Sequence, residues 1–528
     1  MSECTIENQM PIGGDDVVDT TGPGPSISRD AKGAPVYRPG LDETASVDSI
    51  SMRIERDSLG ELPVPDYAYW GVHTARALEN FPITRRAISN HPDLITALAW
   101  VKQAAARANR DLGDLDPDIA QAIDRACEEI AAGALHDQFV VGAIQGGAGT
   151  STNMNANEVI ANRALEIMGY EKGRYDLIHP IDDVNRSQST NDVYPTAIKI
   201  AMVLGIKRLL PEHRSLADAF GAKSVEFRDV LKVGRTQMQD AVPMTLGQEF
   251  GGFRTTLEED FDRLGEVIPF LCEVNLGATA IGTGITADHR YAEAVRAHLA
   301  EISGLDIKTA PDLIEATSDV GVFMTLIGVL KRSAVKLSKI CNDLRLLSSG
   351  PQAGLNEINL PPRQAGSSIM PGKVNPVIPE VVNQVAFAII GADATVCAAA
   401  EAGQLQLNAF EPVMASSILQ SLAWMTRGCQ TLRDNCVVGI TANTEKLHQQ
   451  VSASVGVVTA LTPDIGYQKA ASLAHQALTS GKTIRELVLA EGLMSEDDLD
   501  RVLSPARLSG IIDPTTVIVV PELGDDSA

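Results

Sequence analysis

Apolar side chains recur along much of the chain at the spacing of long α-helices. Between residues 309 and 348 they follow one another at intervals of four and three, which keeps one helix face buried over about seven turns, or roughly 40 Å. The members of this series are Phe323, Ile327, Leu330, Ala334, Leu337, Cys341 and Leu344. Similar segments run over 192–228, 245–272, 380–408 and 411–440. Five long helices with few aromatic residues favour a bundle shared between subunits.

The two ends of the chain lack this pattern. Residues 1–50 are rich in Pro, Gly, Ser and Asp, and acidic residues outnumber basic ones there, so we expect a disordered tail. Residues 517–528 are predicted to form a second acidic tail. The helical units after residue 446 are shorter, and Ser495 with Asp498 predicts a capped helix start.

The net charge limits the classes of binding partner, and the cysteine content limits the kinds of structural site. The 528-residue chain carries 68 acidic and 44 basic residues, a net charge of −24, which argues against nucleic acid or an anionic membrane as partner. An anionic substrate stays compatible with this charge, because a local cluster such as Arg363 and Lys373 can set the field inside a pocket. Seven widely spaced cysteines without a CxxC pair indicate neither a disulfide framework nor a zinc site. With no apolar run of about 18 residues and no signal-peptide pattern, we expect a cytoplasmic protein without membrane contact.

One segment groups several polar side chains in a stretch whose glycines and prolines exclude a helix or a central strand. Gly366–Pro376 holds two adjacent hydroxyls, a cation and an amide among glycines and prolines. In a dry pocket with N–H groups facing its oxygen, a serine could remove a proton from carbon, while Lys373 and Asn375 hold a carboxylate. Composition alone would also allow a solvated connection between two helices.

Three further polar clusters precede it. Residues 146–158 form a glycine-rich turn that opens a helix and offers N–H groups to an anion; without Gly-Lys-Ser/Thr it is not a P-loop. In residues 183–192, Ser189 or Asn191 could cap a helix, bind a ligand, or do both. Residues 234–249 supply a third cluster.

These clusters resemble the signature motifs of the aspartase/fumarase superfamily. Residues 366–376 match GSSxMPxKxNP at every fixed position. Residues 147–159 match GAGTSxNMNxNEV, residues 234–249 match GRTxxQDAxPxTLGQE, and residues 71–81 match GVHTxRAxENF. The resemblance extends from about residue 52 to about residue 510.

The resemblance implies an all-α fold in three domains. These would be an N-terminal lyase domain over 51–187, a central helical bundle over 188–445 and a small C-terminal helical domain over 446–516. The bundle would form a 20-helix core in a homotetramer, with each active site drawing residues from three subunits.

The resemblance also implies an activity. Ser189-Thr190-Asn191 and the segments 348–361 and 379–385 are similar to the aspartase branch, which converts L-aspartate reversibly to fumarate and ammonium. No cofactor would be required, and an activating divalent metal cannot be read from the sequence. The alternatives are a class II fumarase, which adds water to fumarate, and an inactive helical scaffold of the same fold.

Each role is carried over to a matching position of this chain. Ser367 would be the base that takes the proton from the carbon next to a carboxylate. Four hydroxyls would stabilise the resulting aci-carboxylate: Thr150, Ser189, Thr190 and Ser368. The α-carboxylate would be held by Thr236, Lys373 and Asn375. The amino group would be oriented by Asn191 and Gln237.

Four points about these roles stay open or secondary. Thr152 lies close enough to Thr150 to be the carboxylate contact instead. Gln237 does not titrate, so the group that protonates the departing ammonia is not identified. His73 is interpreted as structural rather than catalytic, and His179 resembles a residue of a secondary anion site in fumarases.

Overall fold

The computed structural model describes residues 26–29, 35–38 and 51–510. Within the N-terminal tail, Ser26–Arg29 (β1) pairs antiparallel with Pro35–Arg38 (β2), so these eight residues depart from the predicted disorder. The rest of the N-terminal tail and the acidic tail at 517–528 lie outside the described residues, and disorder there stays a prediction.

Helices dominate the described residues, in agreement with the predicted all-α class. In chain order they are α1 Val72–Asn80, α2 Pro92–Leu112, α3 Pro117–Ala131, α4 Thr150–Ile167, α5 Thr190–Glu226, α6 Leu246–Glu266, α7 Ile268–Leu271, α8 Tyr291–Ser303, α9 Leu313–Ser318, α10 Gly321–Leu347, α11 Val377–Glu401, α12 Glu411–Asn435, α13 Thr444–Ala453, α14 Thr462–Ile465, α15 Tyr467–Ser480, α16 Ile484–Ala490, α17 Glu496–Val502 and α18 Pro505–Leu508.

The remaining strands form four more two-stranded sheets. Their bounds are β3 Met52–Asp57, β4 Gly60–Pro65, β5 Leu231–Thr236, β6 Gln239–Thr245, β7 Glu273–Val274, β8 Lys308–Thr309, β9 Ile358–Asn359 and β10 Thr441–Ala442. The pairs β3–β4, β5–β6 and β9–β10 are antiparallel, and β7–β8 is parallel. The β5–β6 hairpin follows the end of α5 directly and is the sheet that matters for the site.

The 37-residue helix α5 is the axis of the molecule. Its N-terminus is closed by a capping box, in which Ser189 accepts from the helix backbone and Asp192 accepts from the N–H of Ser189. Over the first half of the helix apolar residues occur on every face, which is typical of a helix buried all round. Helices α2, α6 and α12 pack against it. At 1.5 Å per residue, α5 separates its two ends by about 55 Å.

Helices α10, α11 and α12 complete the bundle beside α5 and α6, as the five predicted segments require. All seven residues of the predicted apolar series are buried, with exposed fractions of 1% or less. The predicted start near residue 309 was wrong, however. Asp312 caps the separate short helix α9, and the extended residue Asp319 ends it before α10 begins at Gly321.

The other helix bounds differ from the predicted segments by smaller amounts. Helix α11 ends at Glu401 rather than near 408, and α12 ends at Asn435 rather than near 440. The segment 245–272 is divided into α6 and α7 at Val267, just ahead of a proline. The predicted cap at Ser495 is confirmed, since its hydroxyl oxygen accepts from the N–H of Asp498 at 3.1 Å.

Two hydrophobic cores organise the packing. The larger runs from Val64 to Leu447 and crosses residue 187 without a break, while the smaller joins Val233 of β5 to residues 451–508. The small C-terminal core thus packs against the base of the β5–β6 hairpin. The domain boundaries at 187/188 and 445/446 stay predictions.

Helix α11 is unusually apolar for its position. By length and hydropathy alone it is the one helix of the described chain that could cross a membrane, and only 28% of its most apolar window is buried. Asn383, Gln384 and Asp393 interrupt the apolar residues, which is why no continuous run was found in the sequence. Its exposed face includes Val381, Phe387 and Ile390.

Candidate active site

The loop between β9 and α11 holds the predicted base in a defined turn. The hydroxyl oxygen of Ser367 accepts hydrogen bonds from the N–H groups of Ile369 at 3.2 Å and Met370 at 3.0 Å. Two such donors stabilise an oxygen that carries negative charge, which makes the hydroxyl easier to deprotonate. That Ser367 acts as a base stays a prediction, with which these two donors are compatible.

The neck of this loop is closed by its own backbone. The N–H of Gly366 donates to the carbonyl of Lys373 at 2.7 Å, and the side-chain amide of Asn375 donates to the carbonyl of Gly366 at 2.9 Å. A Cβ at Gly366 would stand 2.7 Å from the Lys373 carbonyl oxygen, so only glycine allows this approach. Ser368 and Lys373 remain exposed beyond the neck.

Arg363 anchors the loop and, with Asn375, lines a small pocket at its base. Its guanidinium donates to the carbonyls of Asn435 at 2.7 Å and Asp434 at 2.9 Å, at the C-terminal end of α12. These carbonyls have no intrahelical partner, and a cation suits the negative end of the helix. That Arg363 and Lys373 together set the field of a substrate pocket stays a prediction.

A second set of polar residues lies where α4 and α5 begin. Thr150 is exposed at the start of α4 and donates to the carbonyl of Gly147 at 2.7 Å. Thr152 has no exposed surface. Of the two threonines, only Thr150 is accessible to a ligand. Gly149 has φ +90°, and a Cβ there would meet the ring of Tyr194 at 2.2 Å, so the turn before α4 depends on glycine.

The start of α5 combines capping with accessible polar groups. Ser189 is the N-cap, as one of the two sequence interpretations predicted. Thr190 Oγ1 accepts from the amide of Asn153 at 3.2 Å, which joins the α4 and α5 residues into one cluster. The amide of Asn191 donates to the carbonyl of Ala280 at 2.8 Å. Asn191 thus already holds the loop after β7, with its side-chain oxygen left for other partners.

Asp192 holds this end of α5 against the 275–280 segment. Its carboxylate accepts from the N–H groups of Gly277 at 3.1 Å and Thr279 at 3.0 Å, besides that of Ser189. Burial raises the pKa of Asp192 to about 6, against the opposing effect of these donors.

The third group, Thr236 and Gln237, sits at the tip of the β5–β6 hairpin. Gln237 and Met238 both have positive φ, at 54° and 64°, which is the geometry of a tight hairpin turn. Thr236 and Gln237 are exposed. The structure therefore places them in solvent within a single chain, with the polar ends of their side chains free to meet a ligand.

A buried carboxylate fixes the base of this hairpin. Glu357 has no exposed surface and pairs with Lys232 at 2.9 Å and with Arg235. Lys232 also pairs with Glu249 at 2.6 Å. Because Glu357 immediately precedes β9 and the Ser367 loop, it ties the hairpin and the loop to the same end of the bundle. Glu357 belongs to the aspartase-like segment 348–361, but its anchoring role was not predicted, because its partners Lys232 and Arg235 lie far from it in the chain.

The predicted site residues fall into two groups at opposite ends of α5. Thr150, Ser189, Thr190 and Asn191 lie at its N-terminus, and the hairpin follows its C-terminus. The loop belongs with the hairpin: Arg433, in the last turn of the helix that Arg363 caps, pairs with Glu212 at 2.7 Å. Glu212 lies 23 residues along α5 from Ser189, a separation of roughly 35 Å. One chain does not bring all of these residues together.

Two histidines have local partners. His73 Nδ1 lies 3.0 Å from the buried carboxylate of Glu158, which supports its interpretation as a structural residue. His179 Nδ1 accepts from the N–H groups of Ile181 at 3.2 Å and Asp182 at 3.1 Å, and so caps a short π-helical turn. Its resemblance to a secondary anion-site residue stays a prediction.

Metal ligands are not grouped in the part of the chain that the structure describes. No three His, Cys, Asp or Glu side chains there are placed to hold an ion. The described cysteines are free, at positions Cys127, Cys272, Cys341, Cys397, Cys429 and Cys436.

Comparison with known proteins agrees with these motifs. The family model described as Lyase matches residues 60–391, and the model described as Fumarase C C-terminus matches residues 457–510. An aspartate ammonia-lyase from Pseudomonas aeruginosa is 59% identical over 459 residues, covering 87% of this chain and 97% of that protein. The aspartate ammonia-lyase of Escherichia coli K12 is 52% identical over 461 residues, covering 87% and 96%.

Solved structures share the fold. A Brucella melitensis structure titled fumarate lyase:delta crystallin bound to cobalt has a TM-score of 0.85 and 54% identity, covering 87% of this chain and all of that one. A class II fumarase from Schistosoma mansoni has a TM-score of 0.82 and 34% identity, covering 87% and 99%. The chain belongs to the aspartase/fumarase superfamily of lyases.

Proposed function

We propose that this protein is an aspartate ammonia-lyase, a carbon–nitrogen lyase that converts L-aspartate reversibly to fumarate and ammonium. The relatives that carry this name are 52–59% identical over most of the chain. The observation that carries the proposal is the Ser367 turn, in which two backbone N–H groups face the hydroxyl oxygen. A scaffold without activity would have no physical need for this exposed polar loop.

The reaction is an anti elimination. Ser367 takes the proton from the β-carbon, and the electron pair of that C–H bond moves into the adjacent carboxylate to form an aci-carboxylate. The electrons then return to form the double bond as the C–N bond at the α-carbon breaks and ammonia leaves. Hydrogen bonds to the aci-carboxylate come from Thr150, Ser189, Thr190 and Ser368. Stabilising charge that develops in the transition state contributes most to such a rate.

The remaining residues bind and orient the substrate. Thr236, Lys373 and Asn375 hold the α-carboxylate. Asn191 and Gln237 orient the amino group by hydrogen bonding, and neither titrates, so the departing ammonia takes its proton from another source.

The separation of the two groups along α5 supports a site shared between copies of the chain. We infer a homotetramer in which the N-terminal group of one copy meets the loop and hairpin of others. Five long helices per copy would give a 20-helix core, and a core of this kind would cover the apolar residues that a single copy exposes: Val381, Phe387, Ile390, Met324, Val335 and Trp424.

No cofactor enters this mechanism, and we propose a cytoplasmic enzyme with small-molecule partners only. The net charge of −24 supports the absence of nucleic acid or an anionic membrane among its partners.

The test is ultraviolet absorbance of fumarate when purified protein is mixed separately with L-aspartate and with L-malate. Appearance of fumarate from aspartate alone is the expected result. Fumarate from malate alone would identify a class II fumarase and overturn the proposal, and no signal from either would identify an inactive scaffold or another substrate.

A further inference from the structure

Three buried donors converge on the side-chain oxygen of Asn185, just below the N-terminal group of site residues. Lys102 Nζ lies 2.8 Å from this oxygen, Asn153 Nδ2 lies 3.0 Å from it, and Asn157 Nδ2 lies 3.2 Å from it. Lys102 and Asn157 have no exposed surface, and Asn153 is 2% exposed. The cluster is therefore part of the core, although one of its members reaches a site residue.

The orientation of the Asn185 amide sets the direction of these hydrogen bonds. Its NH₂ group donates to the carbonyl of Gln188 at 3.2 Å, so the Asn185 atom that faces the three donors is the carbonyl oxygen. Asn153 consequently turns its NH₂ group toward that oxygen. The same NH₂ group lies 3.2 Å from Thr190 Oγ1, and its second hydrogen is donated there.

Because the Thr190 hydroxyl oxygen accepts from Asn153, its own proton is free to be donated to another group. Within residues 51–510, no acceptor takes the proton of Thr190 or that of its neighbour Ser189, whose oxygen accepts from the N–H of Asn191 at 3.2 Å. Two adjacent hydroxyls at a helix N-terminus therefore both present protons outward. A ligand that satisfies them is an acceptor, and a carboxylate suits them best.

We propose that Asn153 is a positioning residue that holds the Thr190 hydroxyl as a donor toward a substrate carboxylate, with the polarity set from the core by the Asn185 oxygen. This inference rests on the proposed function, in which Thr190 contacts the aci-carboxylate. Asn153 acts only through Thr190 and does not touch substrate. Its effect is on the direction of one proton rather than on the shape of the site.

The direct test is Asn153→Asp. The new carboxylate has the same shape but no donor, so the Thr190 hydroxyl donates inward and turns its lone pairs toward the substrate. We expect kcat/KM for L-aspartate to fall about 100-fold, with a rise in KM, and the Kd for fumarate to rise about tenfold by calorimetry.

Asn157→Asp is the matched control. It introduces the same charge on the same helix against the same Asn185 oxygen, but Asn157 does not contact Thr190. We expect it to retain at least about ten times the kcat/KM of Asn153→Asp. Equal losses in the two variants would overturn the proposal, because the effect would then come from a buried charge.

A double-mutant cycle separates positioning from structure. In a Thr190→Val background there is no hydroxyl to orient, so adding Asn153→Asp should change kcat/KM by less than about twofold. Independent, additive losses would overturn the proposal. If Asn153→Asp does not fold, Asn153→Ala frees the hydroxyl to rotate and should lose about tenfold, again only when Thr190 is present. A wild-type protein inactive with aspartate would instead refute the proposed function.

Discussion

The predicted site residues at the two ends of α5 are held in place in different ways. At the N-terminal end, Thr190 contacts Asn153 of a buried polar network, and Ser189 is the N-cap of α5. At the C-terminal end, Gln237 sits at an exposed hairpin tip and Ser367 in an exposed loop, where the side chain of Ile369 is 84% exposed. One end is thus organised by side chains in the core, and the other by backbone turns and a few anchors.

This difference shows how the work of the site is divided. Donors that are fixed before the substrate arrives cost no reorganisation when charge develops, which suits the aci-carboxylate. In the proposed mechanism, the base Ser367 and the Lys373 cation lie on a segment closed only at its neck, which would leave it free to cover a bound substrate. In the proposed function, each end is incomplete alone.

The largest effect is expected at the loop, from Ser367→Ala. Removal of the base should lower kcat by about 1,000-fold or more, while the Kd for fumarate stays within about threefold. Initial rates of fumarate formation and calorimetry measure the two quantities. Ser472→Ala, on the exposed surface of α15, is the control and should be fully active. A Ser367→Ala enzyme with near wild-type turnover would exclude this serine as the base.

The second effect is on stability at the same end, from Glu357→Gln. Lys232 and Arg235 would lose their shared buried carboxylate, which costs about 3 kcal/mol of unfolding free energy. Denaturant unfolding followed by circular dichroism gives the value. Glu249→Gln removes only the partly exposed partner of Lys232 and should cost about 1 kcal/mol. If both variants lose the same amount, Glu357 is not the anchor of the hairpin.

The third effect concerns a buried carboxyl at the N-terminal end of α5. Burial raises the pKa of Glu411 to about 8, with Lys199 opposing the shift, and its Oε2 has no hydrogen-bond partner among the described residues. Between about pH 4.5 and pH 8 the unfolded chain therefore loses this proton while the folded protein keeps it. Stability falls with rising pH across that window.

Glu411→Gln, which imitates the protonated form, removes this dependence. The variant should be more stable than wild type near pH 8, by a margin that shrinks as the pH falls and vanishes near pH 4.5. Thermal unfolding at a series of pH values measures it. A gain that is independent of pH would mean that the carboxyl is not protonated in the folded protein.

The smallest effect is expected from mixing chains mutated at different ends of α5. This experiment tests directly whether one active site uses residues from two copies of the chain. Co-expression of Thr190→Val and Ser367→Ala chains should yield hybrid oligomers with at least about ten times the activity of either parent, because some sites receive two intact halves. Ser367→Ala with Lys373→Ala is the control, since both changes lie in the same loop and no recovery is expected. Without recovery in the first pair, the site is not shared in this way.

The local chemistry was predictable because it depends on short stretches of sequence. The Ser367 turn, the Ser189 cap and the buried series along α10 each follow from residues close together in the chain. The anchoring contacts of Arg363 were not predictable, because its partners, Asn435 and Asp434, are more than 70 residues away. Nothing near Arg363 distinguishes a helix cap from a ligand contact.

The hydrogen-bond network around Asn185 was only partly predictable from the sequence. Asn153 and Asn157 are four residues apart on one helix, so their shared face could be read from the sequence. The sequence could not show that this face is buried or that Lys102 of α2 contacts the same Asn185 oxygen. A run of asparagines in a glycine-rich turn is equally compatible with a solvated surface.

By itself the sequence determined the superfamily and the helical class, and it predicted the base and the polar side chains around it. These properties rest on residue type and on spacing within single segments. The tertiary structure decided which side chains donate, which are spent on anchoring, and that α5 holds the two groups of site residues at opposite ends. The reason is geometric: hydrogen-bond direction and distance across a helix tens of ångströms long depend on contacts between segments far apart in the chain.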